Sequence, residues 1–169
     1  MTSGGGPVFR IWIPGEPVAQ ARPRFAHVQS KTRGTVSVAY DEKKSRSSKE
    51  YIRLMAAHAW KGPPLMEGPL KLTLVIVRSI PASWSLKKQA LALARFILPT
   101  TKPDTDNYLK GVKDALRGVV WRDDSLVCDE HPAKIYGSQP GLCIEVSPID
   151  PEGGDLEWLD GLLSLSVQA

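Results

Sequence analysis

The chain has 169 residues, 42% of them hydrophobic, and a formal net charge of +4. That length suits one domain with a short appendage, and the apolar content suffices for an ordinary core. The strongest apolar segment, Leu70–Arg78, is strand-length and interrupted by Lys71, which excludes a bilayer-spanning helix and, with no basic-then-apolar pattern in Met1–Gly6, predicts a cytoplasmic protein.

Val8–Ile13 is rich in β-branched and aromatic residues and stops at Pro14-Gly15, the pattern of a strand and turn. A loop rich in proline and arginine follows from Gly15 to Phe25. Val36–Tyr40 predicts a short strand. Asp41 is placed to cap a helix from about Glu42 to Trp60, which Lys61-Gly62-Pro63-Pro64 ends. Tyr51, Leu54, Met55 and His58 fall at helical spacing there and predict its core face. Leu70–Arg78 predicts the central strand. Pro81–Trp84 opens a second helix to about Arg95.

A third helix is predicted from Thr105 or Asp106 to Arg117, ended by Gly118. Val119–Trp121 reads as a brief strand and Asp123–Ser125 as a turn. Val127–Tyr136 and Leu142–Val146 read as a closing antiparallel pair joined through Gly137–Gly141. Helices and strands mix without regular alternation. The predicted class is α+β (mixed α/β), a single curved mixed sheet with helices packed on it. The expected division is a domain over residues 1–148 and an acidic tail over 149–169, with Leu156, Leu159, Leu162 and Leu163 spaced for a short amphipathic helix.

That tail affects the charge. From Pro148 onward there are five acids and no Lys or Arg, so the body holds 22 basic and 13 acidic residues, a net +9. Such a body favours a polyanionic partner. Arg22, Arg24, Lys31 and Arg33, around the proline–arginine loop, are candidate phosphate contacts. These would position a duplex without reading its sequence. Lys43, Lys44, Arg46, Lys49 and Arg53 form a second basic run, which as a rule is a solvated helix face.

The chemistry concentrates in Lys102-Pro103-Asp104-Thr105-Asp106-Asn107-Tyr108-Leu109-Lys110 and in Asp123-Asp124. At about 100° per residue, Asp106, Lys110 and Asp114 share one helix face, while Leu109, Val112 and Leu116 share another. Singly, these acids have plain explanations: a helix cap, or an i,i+4 ion pair of Asp106 with Lys110 worth ~0.2–0.5 kcal/mol. Those explanations do not account for Asp104, Asp106, Asp123 and Asp124 converging if the chain returns beside the helix start. Converging carboxylates repel, and a hard cation such as Mg²⁺ relieves them. Two cysteines, Cys128 and Cys143, and scattered His27, His58 and His131 offer no zinc pattern. A calcium loop is excluded by the missing glycine and terminal glutamate. In a basic chain, the pattern points to metal-assisted hydrolysis of a phosphodiester.

The same residues, with Asp114-Ala115-Leu116 and Val119-Val120-Trp121-Arg122-Asp123-Asp124, resemble the signature of RusA-type Holliday junction resolvases. Gly15-Glu16-Pro17 and Arg22-Pro23-Arg24-Phe25 resemble that family's N-terminal loop, so the likeness runs from about Val8 to Val146. The resemblance implies a homodimer, found in bacteria and their prophages, that binds four-way DNA junctions and makes paired symmetric nicks with Mg²⁺. It implies catalytic and metal-binding roles for Asp104, Asp106 and Asp124, with Asp123 able to take part, and a catalytic Lys110. Lys102 and Lys134 are candidate DNA contacts beside it. The acidic tail departs from the family pattern and is a candidate site for a protein partner. Two other readings stand beside this one: a non-catalytic branched-DNA-binding protein, and a nuclease for flap or fork DNA.

Overall fold

The computed structural model describes residues 7–21, 24–30, 34–40, 43–63 and 65–150. The predicted cap at Asp41 and the acidic tail from Pro151 onward lie outside them, as do Arg22, Lys31 and Arg33. In chain order the elements are β1 (Phe9–Pro14), β2 (Arg24–Ser30), β3 (Gly34–Tyr40), α1 (Lys43–Ala59), β4 (Leu70–Ser79), α2 (Leu86–Leu93), α3 (Thr105–Leu116), a 3₁₀ turn (Asp124–Leu126), β5 (Val127–Gly137) and β6 (Gly141–Pro148). β1, β6, β4 and β5 form one mixed four-stranded sheet in that order, and β2 and β3 pair as a separate hairpin. The fold is α+β.

The core follows from the alternation in β4. Leu70, Leu72, Leu74 and Ile76 all point to one face and are fully buried. Ile11 and Ile13 of β1 and Leu142, Ile144 and Val146 of β6 extend that face, and α3 covers it with Tyr108, Leu109, Val112, Ala115 and Leu116. Burying each of the leucines, isoleucines and valines contributes about 1.5–3 kcal/mol. On the opposite face Arg10 pairs with Glu145 across β1 and β6, and Lys71 stands 3.9 Å from Asp129. One wet face is the usual economy of a largely antiparallel sheet.

Three expectations need correction. β5 and β6 do not pair with each other. Both pair with β4, β5 in parallel and β6 antiparallel, so β4 lies between them. β4, the longest apolar segment, takes an interior slot between them, where both edges are satisfied. Ser138–Pro140 then has to cross roughly 10 Å, the width of two strand spacings. Where β6 begins beside β1, glycine is required: a Cβ at Gly141 would meet the carbonyl oxygen of Ile13 at 2.6 Å.

The buried face of α1 is also different. Tyr51 is 44% and Leu54 71% exposed, and His58 is exposed, while Ser45, Ile52 and Ala56 face inward. α1 lies against α3, and small side chains let two helices approach closely where Tyr51 and Leu54 would hold them apart. Met55 alone of the predicted stripe packs partly against the core. Finally, Val119–Trp121 is no strand of the sheet. Trp121 makes isolated bridges to Met66 and Arg117, and Gly118 at φ +75° turns the chain into this return.

Candidate active site

α3 starts at Thr105, one of the two starts the sequence allows. Asp104 is its N-cap in extended conformation, yet its side chain makes no capping hydrogen bond. Its carboxylate is exposed and not spent on the helix it opens. Asp106 lies in the first turn, where the helix dipole favours a negative charge, and accepts a hydrogen bond from the Asn107 side-chain amide at 3.3 Å. The i,i+4 ion pair between Asp106 and Lys110, the plain explanation for those two charges, is not formed. Among the described residues Lys110 has no hydrogen-bond or ion-pair partner.

The return after α3 brings the second acidic segment to the same place. Trp121 is fully buried and donates its indole N–H to Asp124 Oδ1 at 2.9 Å. The guanidinium of Arg117 stands 3.8 Å from Asp124 Oδ2. A rigid ring thus aims the Asp124 carboxylate. Its neighbour Asp123 is occupied otherwise: Oδ1 accepts the Ser125 backbone N–H at 3.0 Å and caps the 3₁₀ turn. Hydrogen bonds from the Ser125 side chain and backbone hold the Asp123 carboxyl below its usual pKa. The two adjacent aspartates therefore face different work, and it is Asp124 that lines the cleft.

That cleft encloses about 350 Å³ and is lined by Asp106, Leu109, Lys110, Lys113, Asp114, Asp124 and Glu130. Sequence reasoning missed two of its members, Lys113 and Glu130, which pair with each other at 2.5 Å. Nothing in the sequence signals that pair, because it depends on the register of β5 beside α3. Asp114 is paired too, with Lys49 at 3.5 Å. Among the described residues, what remains in the cleft without an ion-pair partner is Asp106 and Lys110, while Asp124 is held only by Trp121 and the more distant Arg117.

Asp104 does not line this cleft. Among the described residues no three of His, Cys, Asp and Glu stand close enough to hold one ion by themselves. A larger cavity, about 590 Å³, lies between Pro7, Pro63, Leu65, Met66, Glu67, Arg122 and Pro148, and offers a single carboxylate. Its chemistry is poor beside that of the smaller cleft.

The basic candidates separate. Arg24 opens β2 opposite Tyr40. Lys102 is exposed, just before α3. Lys134 is not directed outward: its ammonium donates to the carbonyl oxygens of Thr101 at 3.0 Å and Pro103 at 2.8 Å. Arg46, Lys49, Arg53 and Arg117 line a neighbouring groove of about 250 Å³ that shares Asp114 with the cleft. The run on α1 therefore borders the cleft instead of being only a solvated face.

A cleft lined by carboxylates from three segments and by two lysines of α3, with arginines in the neighbouring groove, suits a protein that handles phosphodiesters. Comparison with known proteins places it. The family model described as endodeoxyribonuclease RusA matches residues 14–147. An uncharacterized protein of Bacillus subtilis (strain 168), YqaN, is 41% identical over 143 residues, covering 83% of this chain and 96% of that protein. The chain belongs to the RusA endodeoxyribonuclease family.

Proposed function

We propose that the chain is a Mg²⁺-dependent endodeoxyribonuclease that resolves four-way DNA junctions by paired symmetric nicks in recombination and repair. Family membership supports the class of enzyme. The observation that carries the site is the shared cleft: Asp106 and Lys110 of α3 and Asp124 of the return line one opening.

The donor set fits a hard cation. Mg²⁺ prefers oxygen ligands, keeps several of its waters, and is commonly held by one or two carboxylates together with substrate phosphate. Asp106 and Asp124 supply two such carboxylates, and Asp104, with no capping duty, is the third candidate. A full cage of protein ligands is therefore not required. When bound, the ion supplies a Lewis acid for phosphate oxygens and makes hydroxide accessible near neutral pH.

The chain's own residues do the rest. Lys110, one helical turn beyond Asp106, offers its ammonium to a non-bridging phosphate oxygen and stabilises charge that develops there. Trp121 and Arg117 hold Asp124 in one orientation, which lowers the cost of ordering it at the moment of reaction. The Lys113–Glu130 and Lys49–Asp114 pairs keep neighbouring charges fixed. The arginine-lined groove beside the cleft gives a DNA strand a path of favourable potential. A two-fold dimer would present two such clefts, one for each nick.

A labelled four-way junction incubated with and without Mg²⁺ tests this reading. Mg²⁺-dependent linear products are expected. Binding without product at any metal concentration would leave only a branched-DNA-binding protein. Preferential cutting of flap or fork DNA run alongside would replace the substrate class.

A further inference from the structure

Three consecutive carbonyls immediately before Asp104 are each caught by a basic side chain. Lys134 of β5 donates to Thr101 O and Pro103 O, and Arg78 of β4 donates to Lys102 O at 3.2 Å. The two strands are adjacent and parallel, with Lys134 opposite Ile76 and Tyr136 opposite Arg78. The cations therefore lie two residues apart along neighbouring strands, spaced to span one short loop. Arg78 is itself anchored: its Nε stands 3.7 Å from Glu16 Oε1, while Glu16 Oε2 accepts the Ser79 backbone N–H at 3.3 Å.

We infer that Arg78 and Lys134 are positioning residues that clamp the Thr101–Pro103 backbone and so set where Asp104 stands. Three features require an outside clamp. This loop belongs to neither sheet, and its carbonyls need donors from elsewhere. Asp104 makes no side-chain bond to α3, so its carboxylate is placed by its backbone alone. The clamp ends on the residue directly before Asp104. Hydrogen bonds from charged donors are about twice as strong as neutral ones, and Lys134 concentrates two of them on one loop. This differs from a phosphate-binding role for Lys134, because two of its three donors are already engaged.

The catalytic consequence rests on the proposed nuclease reading, but the clamp can be tested without it. Amide hydrogen exchange of the full chain, free of DNA and metal, reads the segment around residues 99–108. In Lys134→Met it should exchange about tenfold faster, corresponding to about 1.4 kcal/mol, with α1 and β4 unchanged. Lys134→Arg keeps charge and donors and should stay within about threefold of wild type. Junction binding in EDTA should keep its affinity and salt slope in both variants, while the Mg²⁺ concentration for half-maximal cleavage rises about tenfold in Lys134→Met only.

Unchanged exchange in Lys134→Met overturns the clamp. So does a salt slope lowered by about one, which marks a phosphate contact, and so does faster exchange spread evenly over the domain. If Lys134→Met does not fold, Arg78→Lys decides: exchange confined to the same segment supports the clamp, and none overturns it. If the wild type cuts no junction, the nuclease reading fails while the exchange result still stands.

Discussion

Replacing Trp121 by Phe would test whether Asp124 is aimed by its neighbour. The indole N–H donates to Asp124 Oδ1 at 2.9 Å, and hydrogen bonds to charged groups contribute roughly 1.5–3 kcal/mol. If that free energy serves to orient the carboxylate, kcat/KM for junction cleavage should fall about 10- to 150-fold. Stability should fall as well, since the ring fills a site with no solvent exposure and a smaller ring leaves a cavity. Asp124→Asn is the matched control. Its amide oxygen still accepts from Trp121, so the turn keeps its shape while the negative charge is lost. The assay is single-turnover cleavage at saturating Mg²⁺, well below the melting temperature of each variant, with urea unfolding alongside. Trp121→Phe cleaving at the wild-type rate despite measurable destabilisation would refute the argument. Arg117 would then suffice to hold Asp124.

Lys110→Gln should reduce cleavage about 10²–10³-fold with little change in stability, because Lys110 has no partner among the described residues and its loss leaves nothing unpaired; stopped-time cleavage and thermal melts check both halves. Gly141→Ala should destabilise the domain by about 1–3 kcal/mol, since its Cβ would collide with the backbone of β1, as read by urea unfolding. Asp123 has a depressed folded pKa. Its stabilising contribution is therefore complete above its ordinary value and lost as pH falls through the folded one. A carboxyl NMR titration should show Asp123 titrating below the ordinary aspartate range, and Ser125→Ala should move it back up.

The parts of the fold that rest on one helix or strand were legible in the sequence. α3 shows its wet and dry faces directly, because Leu109, Val112 and Leu116 repeat at helical spacing opposite Asp106 and Lys110, and the structure buries the first three. β4 was equally plain as the longest apolar segment. What depends on a third element was not. Val127–Tyr136 and Leu142–Val146 look like a hairpin because a short glycine-containing link joins them, and only the insertion of β4 separates them. The α1 face was misread because large apolar side chains suggest a core, whereas the close approach to α3 selects Ala56 and Ser45.

The candidate site divides in the same way. The motif names Asp104, Asp106, Lys110 and the Asp123-Asp124 pair. Only the geometry separates the cap at Asp123 from the cleft residue at Asp124. Lys134 could be read from its charge but not from its partners, two carbonyls about thirty residues earlier in the chain. No motif announces such partners.

Asp106 is the residue on which the account turns, since its carboxylate lines the cleft and, among the described residues, has only a neighbouring amide for company. The decisive measurement is cleavage of a labelled four-way junction across a Mg²⁺ titration by wild type and Asp106→Asn, with junction binding measured in parallel. The account predicts Mg²⁺-dependent cutting by the wild type, and no cutting by the variant at unchanged affinity. Full cutting by Asp106→Asn, or cutting by the wild type without any divalent ion, would contradict it.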